Sequence, residues 1–482
     1  MPDALKILFL AAEAEPFVKI GGLADVAGSL PLALRDLPIP ADQQAALDVR
    51  LVLPLHRLMR VDLAALSPLV EFSVARQNKA VPAQAYESRL GGMPVYFISG
   101  EPVSAVPTVY SMNLAHDREK YAFFSLAALE LARRLDWRPD IIHANDWHTA
   151  LAIYSLRSGR DKAYFIRTRS VFSVHNLPYM GSDGTDVLTA YGLPSLEEET
   201  LPAWALTQPL PLGLWAADAL VPVSPTYACE ILTPEFGCGL EAFLRSRTGR
   251  MTGILNGLDV VAWDPMTDPD LSANFSIADL SRRASNKASL QKQLGLDEDA
   301  SLPLLAMVGR MDFQKGVDIT LAALRQLTGH AWQFVILGSS DPALENAARS
   351  LQESFPGRVR AVIGYEAQLS HLIYGGADIF LMPSRYEPCG LAQMIAMRYG
   401  SVPVVHATGG LKDTVQEGRN GFLFPTADAT AMLGALYRAF SIYDNPAEWE
   451  KIQRNGMQQD FSWPRSAAQY AAIYHKLGKG DV

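Results

Sequence analysis

Arg310 and Lys315 stand five positions apart in the segment Gly309-Arg310-Met311-Asp312-Phe313-Gln314-Lys315-Gly316. An apolar run at 302–308 precedes this segment and a helix-patterned stretch at 317–327 follows it. A guanidinium and an ammonium in a glycine-bounded loop ahead of a helix N-terminus form an anion site, and the two can share a diphosphate. A second stretch, 377–413, reads ADIFLMPSRYEPCGLAQMIAMRYGSVPVVHATGGLKD. Its turn from Arg385 to Gly390 carries one carboxylate, Glu387, where packing asks for no charge. Thr408-Gly409-Gly410-Leu411 reads as a bend that offers backbone N–H donors. An acidic loop beside a donor-rich loop suits a sugar joined to a diphosphate, although TGG alone is ordinary turn chemistry. A third segment, Lys19-Ile20-Gly21-Gly22-Leu23, follows a strand-like run at 6–12 and opens a helical stretch at 24–34. There the paired glycines let backbone N–H groups approach an anion, with Lys19 as a point charge beside them.

The elements that must hold these groups alternate in type. Short apolar runs at 49–54, 93–99, 170–174, 334–337, 359–363, 379–382 and 402–405 read as strands. Helical spacing occupies 119–135, 391–399, 429–443 and 463–477, and Gly400 closes the second of these. Such alternation predicts parallel sheets with ligands at the carboxyl ends of the strands. The run 139–142 leads into His143-Ala144-Asn145-Asp146-Trp147-His148. The spacing is not that of a helical zinc motif and no distant third ligand is evident, so no metal is expected there. For His143, packing and function are equally good readings. His175 ends the 170–174 run, a place where a lone histidine is often a satisfied core group. Asp268-Pro269-Asp270 and Asp297-Glu298-Asp299 could each hold a divalent cation, but both fall in hinge-like stretches and read as solvated loops. With Lys19, Arg310 and Lys315 available, a metal is unnecessary.

The 482 residues exceed one core and suit two or three domains. Hydrophobic content of 49% and charged content of 19% describe a globular chain. A formal net charge of -9 disfavours nucleic acid and anionic membrane as partners. Cys229, Cys238 and Cys389 are too far apart for a disulfide framework or a zinc pattern, which points to a reducing compartment. The apolar run near the N-terminus is too short to span a bilayer and reads as a first strand.

SRYEPCGL at 384–391, TGGLKD at 408–413 and KxGGL at 19–23 resemble bacterial glycogen synthases and plant starch synthases. The HN pair at 175–176, SPTY at 224–227, ILNGLD at 254–259 and WDP at 263–265 fit the same family. The resemblance implies an α/β fold of the GT-B kind, two Rossmann-like doubly wound domains facing across a cleft. Residues 1–250 would form the acceptor-side domain, 251–460 the nucleotide-sugar domain, and the helix within 461–482 would pack back on the first. It implies a retaining transfer of glucose from ADP-glucose to the non-reducing end of an α-1,4-glucan, without cofactor or metal. His175, Arg310, Lys315, Glu387 and Asp146 would be catalytic. Lys19, Gly21, Gly22, Asn256, Cys389, Gly390, Leu391, Thr408, Gly409 and Gly410 would bind the donor, with Asp25 and Asn176 on the acceptor or sugar side. The expected compartment is the cytoplasm, or the plastid stroma for a processed plant enzyme. Two segments depart from the family pattern: SMNLAHDREK after Tyr110, where relatives have a longer loop, and 201–214. They keep open a retaining enzyme with a small acceptor. Separately, no residue reads the base edge, which leaves a UDP-glucose-preferring synthase as an alternative, and Lys19, Arg310, Lys315 and Glu387 together argue against a non-catalytic glucan scaffold.

Glycosyl–phosphate cleavage builds negative charge on the diphosphate and cationic character on the sugar. Arg310 and Lys315 suit the first, Glu387 the second. Ile395 stands eight residues after Glu387, so no carboxylate pair for double displacement is legible. The departing phosphate is then the base that takes the acceptor's proton.

Overall fold

The computed structural model describes residues 4–38, 46–61, 66–77, 79–111, 113–158 and 161–478. It divides into two compact units, Met1–Gly257 with Trp463–Val482, and Leu258–Ser462. The chain therefore leaves the first unit after Gly257 and returns at Trp463, rather than near 250 and 460. Of the C-terminal segment, residues 479–482 lie outside the described residues.

The first unit is built on β1 (Leu5–Leu10), β2 (Leu47–Pro54), β3 (Ser67–Arg76), β4 (Lys79–Leu90), β5 (Met93–Gly100), β6 (Ile141–Asn145), β7 (Arg169–Val174) and β8 (Ala219–Pro222). Their order across the sheet is β3-β4-β5-β2-β1-β6-β7-β8. Pairing is antiparallel within β3-β4-β5 and parallel elsewhere. Setting the β3-β4 hairpin aside, the six parallel strands have the doubly wound order, with the reversal between β1 and β6. The second unit contains β9 (Leu304–Val308), β10 (Gln333–Gly338), β11 (Val359–Ile363), β12 (Ile379–Met382), β13 (Val402–His406) and β14 (Phe422–Phe424). Its order is β11-β10-β9-β12-β13-β14, all parallel, with the reversal between β9 and β12. Central strands of both sheets are buried along their length, as a sheet covered on both faces requires.

In the first unit the helix Trp463–Gly478 belongs to the same core as β1 and the helix Gly22–Arg35. Its Tyr474 hydroxyl lies 2.6 Å from His143 Nδ1, and His143 Nε2 lies 2.7 Å from Ser173 Oγ. His143 is thus a hydrogen-bonded core residue, and the packing reading holds. The 201–214 segment forms a short turn and the helix Pro209–Ala216, whose leucines are buried. A Cβ at Gly213 would stand 2.8 Å from Ala150 Cβ, so this glycine lets the helix lie close against the helix Trp147–Ser158. The part of that departure from Pro209 onward is a core element, whereas Ala203 and Trp204 before it are exposed.

In the second unit the two glycines of the TGG segment do not face outward. Gly409 has φ +44, and a Cβ there would stand 2.0 Å from the Glu387 carbonyl oxygen. A Cβ at Gly410 would stand 2.0 Å from the Cys389 carbonyl oxygen. The Gly410 N–H donates to the Glu387 carbonyl at 3.1 Å. The bend expected to expose donors is instead the N-terminus of the helix Gly409–Thr414, pressed against the loop after β12. Close backbone approach explains the glycines better than an anion does.

The Asp268 carboxylate is also misplaced by the solvated-loop reading, being 3% exposed. It accepts the Tyr399 hydroxyl at 2.5 Å and the Asp270 N–H at 2.9 Å, and lies 2.7 Å from His371 Nδ1. Asp268, Asp270 and His371 hold ligand atoms within 4.8 Å of one another. The bonds to Asp268 account for the cluster as a structural pin. Asp299 is exposed, as expected.

Gly409→Ala must adopt a left-handed conformation and displace backbone, so it is expected to lower unfolding free energy by about 2 kcal/mol or more. Gly434→Ala, inside the helix Ala429–Tyr443 with nothing nearer its Cβ than Arg438 Nη1 at 3.8 Å, is expected to add about 0.5–1 kcal/mol. Urea denaturation of the two variants checks both signs.

Candidate active site

Lys19, Asp146, Arg310, Lys315 and Glu387 lie on the loops at the reversal point of each sheet, whereas His175 and Asn176 follow β7, Asn256 lies after β8 and Thr408 to Gly410 follow β13. In the second unit the loop after β9 carries Arg310 and Lys315, and the loop after β12 carries Glu387. Gly316 has φ +70, and a Cβ there would stand 2.2 Å from the Pro383 carbonyl oxygen, so the two loops touch because this position is glycine. Across that seam Lys315 Nζ donates to Glu387 Oε2 at 2.6 Å. Ser384 Oγ donates to the same oxygen at 2.9 Å. Glu387 Oε1 makes no hydrogen bond among the described residues. Asp312, to which the sequence reading gave no role, ties the cations together. Its Oδ2 lies 2.7 Å from Arg310 Nη1, and its Oδ1 accepts the Lys315 N–H at 2.9 Å. Arg310 is 53% exposed, whereas Glu387 is buried.

The rest of the acidic loop is braced from its far side. Arg385 donates both Nη groups to Asp318, at 2.9 and 2.7 Å, and its N–H to the Gln314 carbonyl at 2.8 Å. Cys389 is buried, Gly390 has φ +72, and Leu391 caps the helix Ala392–Arg398. Thr408 caps the helix Gly409–Thr414. These donor-binding candidates line one strand-end surface of the second unit with Glu387.

The first unit repeats the plan with different chemistry. Lys19 pairs with Asp25 at 2.6 Å. The N–H groups of Ile20 and Gly21, expected to await an anion, donate to Glu13 Oε2 at 2.5 and 3.1 Å. Glu13 is 1% exposed and also accepts the Tyr110 hydroxyl at 2.8 Å. Burial raises its pKa, and the three donors oppose that rise. The sequence shows Glu13 at the end of an apolar run, a signal that could have singled it out. Gly22 opens the helix Gly22–Arg35, and a Cβ there would meet nothing within 4 Å. Tyr110 is placed by the shortened segment after it. Asn113 caps the helix Leu114–Arg134, and the buried Lys120 ammonium donates to the Thr108 and Val109 carbonyls.

At the other side of this reversal, Asp146 has φ +53 and a buried side chain. Its Oδ1 accepts the His175 N–H at 2.7 Å and the Asn176 N–H at 3.4 Å. Burial pushes its pKa up to about 7 in spite of these bonds. Asn145 Nδ2 donates to the Leu10 carbonyl, which leaves its Oδ1 to accept from His175 Nε2 at 2.9 Å. The His175 proton therefore sits on Nε2, and Nδ1 is left as an acceptor. Burial holds this imidazole down at about 4, so it is neutral at pH 7. Asn176 Oδ1, Asn256 Oδ1 and His148 Nδ1 are buried without a hydrogen-bond partner among the described residues. His148 lies in the helix after β6, Asn176 follows β7 and Asn256 lies in the stretch after β8, and orphaned buried polar atoms of this kind call for a polar partner. His148, passed over on its spacing, joins this group.

Two doubly wound units with their charged side chains at the reversal points define a glycosyltransferase of the GT-B fold. A family model described as "Starch synthase catalytic domain" matches residues 6–246, and one described as "Glycosyl transferases group 1" matches 302–441. The glycogen synthase of Syntrophotalea carbinolica is 40% identical over 98% of this chain and 99% of its own. That of Gloeobacter violaceus is 40% identical with the same coverage. The solved catalytic domain of starch synthase IV from Arabidopsis thaliana, bound to ADP and acarbose, superposes with a TM-score of 0.88 at 33% identity, covering 99% of this chain and 100% of that one. Sucrose-phosphate synthase from Thermosynechococcus elongatus, at 20% identity and a TM-score of 0.62, shares the fold. The chain belongs to the glycogen and starch synthase family. No helix among the described residues is long and apolar enough to cross a membrane.

Three buried imidazoles and the half-buried His175 in the first unit make acid stability a test of this geometry. Burial lowers His143 to about 3, His56 and His175 to about 4, and His148 further still. Below pH 6.5 the unfolded chain binds protons that the folded chain refuses, so stability falls as pH drops from 6.5 towards 4. Asp146, raised from 3.8 to about 7, acts in the opposite sense, as does the raised Glu13, and the four histidines outweigh them. The urea midpoint is expected to fall across this window, and more gently in His143→Gln. An unchanged slope in that variant would contradict the buried neutral imidazole.

Proposed function

We propose that the chain transfers glucose from ADP-glucose to the non-reducing end of an α-1,4-glucan, with retention at the anomeric carbon. The observation that carries this is the Lys315–Glu387 ion pair across the β9/β12 reversal, with Arg310 tied to it through Asp312. Bound donor brings its own negative charge to this loop, so the diphosphate competes with Glu387 and Asp312 for the two cations. As the glycosyl bond breaks, charge grows on the leaving phosphate and the cations hold it more strongly than in the ground state. Glu387, released from Lys315, offers its carboxylate to the glucose hydroxyls and the cationic ring.

The first unit supports the sugar and acceptor roles. His175, neutral and fixed by Asn145, presents an acceptor nitrogen to a sugar hydroxyl. Asp146 holds the His175 and Asn176 backbone in place and acts as a positioning group. Its φ of +53 favours a small polar residue there. Lys19 and the 20–21 backbone are held by Asp25 and Glu13, so their part in donor binding is a matter of shape and charge balance rather than free N–H groups. The departing phosphate accepts the proton of the incoming hydroxyl on the face it leaves, which gives retention without a covalent glycosyl-enzyme. Its nearest protein counterpart, a second carboxylate on the helix after Glu387, is replaced by the buried Ile395.

Turnover of ADP-glucose and UDP-glucose should be compared on glycogen, maltose and glucose. Faster turnover of ADP-glucose on glycogen is expected, and preference for UDP-glucose or for free glucose would overturn the proposal. Arg310→Ala is expected to lower kcat by about 10²–10³-fold, the size of losing one charge-stabilising donor. Because Arg310 is exposed, its urea profile should match the parent, and retained turnover would remove it from the catalytic set.

A further inference from the structure

We propose a second ligand site in the first unit that takes a small phosphorylated polyol. A pocket of about 540 Å³ is bordered there by Arg247, Arg250, Lys476, Glu198, Thr200 and Ser246. That volume lies within the range of small-molecule sites. Its walls come from separate parts of the chain: the loop at 198–200, the end of the helix Glu241–Ser246, the turn Thr248–Arg250 and the last turn of the helix Trp463–Gly478.

The charge balance points to an anion. Three cations meet one carboxylate in a chain whose net charge is -9. Glu198 is largely committed elsewhere. It accepts the Thr200 N–H and hydroxyl at 3.2 and 2.7 Å and the Trp215 indole N–H at 3.0 Å. Its approach to Arg247 is 3.8 Å, too long for a hydrogen bond. Among the described residues, Arg250 and Lys476 form no side-chain hydrogen bond or ion pair. Burial and then the neighbouring Arg250 charge lower the Arg247 pKa, Glu198 opposes this, and Arg157 adds a smaller lowering. Three cations gathered on one concavity raise the local positive potential and favour an anion there. Two guanidiniums and an ammonium match the oxygens of a phosphoryl group.

The other wall has complementary chemistry. The Thr200 and Ser246 hydroxyls already donate, to Glu198 and to the Phe243 carbonyl. They border the pocket with lone pairs, as does the Glu198 carboxylate. Acceptors opposite cations fit a ligand with hydroxyl donors at one end and phosphate at the other. A hexose phosphate and a nucleoside monophosphate both meet this description. No lining residue belongs to the loops that carry Glu13, Asp146, Arg310 or Glu387.

The test is calorimetric titration of the full chain with glucose 6-phosphate, adenosine monophosphate and inorganic phosphate. Saturable binding of one of the two organic phosphates, at one per chain and at least tenfold tighter than inorganic phosphate, is expected. The tighter of the two identifies the polyol. The Arg250→Ala/Lys476→Ala double variant replaces two exposed side chains and should weaken that binding tenfold or more. Its glucosyl transfer without added ligand should keep the parent's kcat and KM. Equal binding of inorganic phosphate would overturn the polyol assignment. No saturable binding, or binding kept in the double variant and lost in Arg310→Ala, would overturn the site.

Discussion

The second unit depends on backbone segments lying closer together than side chains permit. Gly316 against Pro383, Gly409 against Glu387 and Gly410 against Cys389 each bring a missing Cβ to within about van der Waals overlap of a carbonyl. These approaches lock the loop after β12 between the loops after β9 and β13. Only then can Lys315 reach Glu387 at 2.6 Å while Ser384 holds the same oxygen. The charge arrangement follows from the packing, and the packing follows from three glycines. A carboxylate so placed is buried but accompanied, which is the condition under which a charge tolerates burial.

The first unit reaches the same end by other means. Its loop after β1 is held by a buried carboxylate: Glu13 gathers two backbone N–H groups and the Tyr110 hydroxyl. Across the reversal Asp146 does the same for the His175 and Asn176 backbone. One unit thus shapes its strand-end loops with glycines and leaves its cations at the surface. The other uses internal carboxylates as stand-ins for an anion. The same strand order therefore carries a cation-rich edge in one unit and a mostly neutral, acceptor-rich edge in the other.

Much of this was legible before any coordinates. Apolar runs stopped at Gly309, Pro383 and His406 placed the strands, because a buried parallel strand needs a continuous apolar stretch and a loop to stop it. The charged positions at those strand ends stood out for the same reason. What remained hidden depended on partners remote in the chain. Nothing near Asp268 announces Tyr399 and His371, so a pinned carboxylate reads as a solvated one. His143 reads equally well as packing or as function until Tyr474 is seen to bond it. TGG is ambiguous in principle, since an anion cradle and a close backbone approach both require glycine. Glu13 was visible as an acid after a strand, but its partners sit in an irregular loop whose path no periodicity reveals.

The helix Trp463–Gly478 is the last described element, yet its Tyr470 and Tyr474 are buried in the first unit's core beside His143 and Ser173. During synthesis, then, the first sheet emerges early but waits for the final residues before its polar interior is satisfied. The second unit has no such debt. Its ends meet where the Leu258 N–H donates to the Phe461 carbonyl at 2.7 Å, and it has its own core. The unit formed by 258–462 can be complete while the unit that precedes it in the chain still lacks the helix Trp463–Gly478.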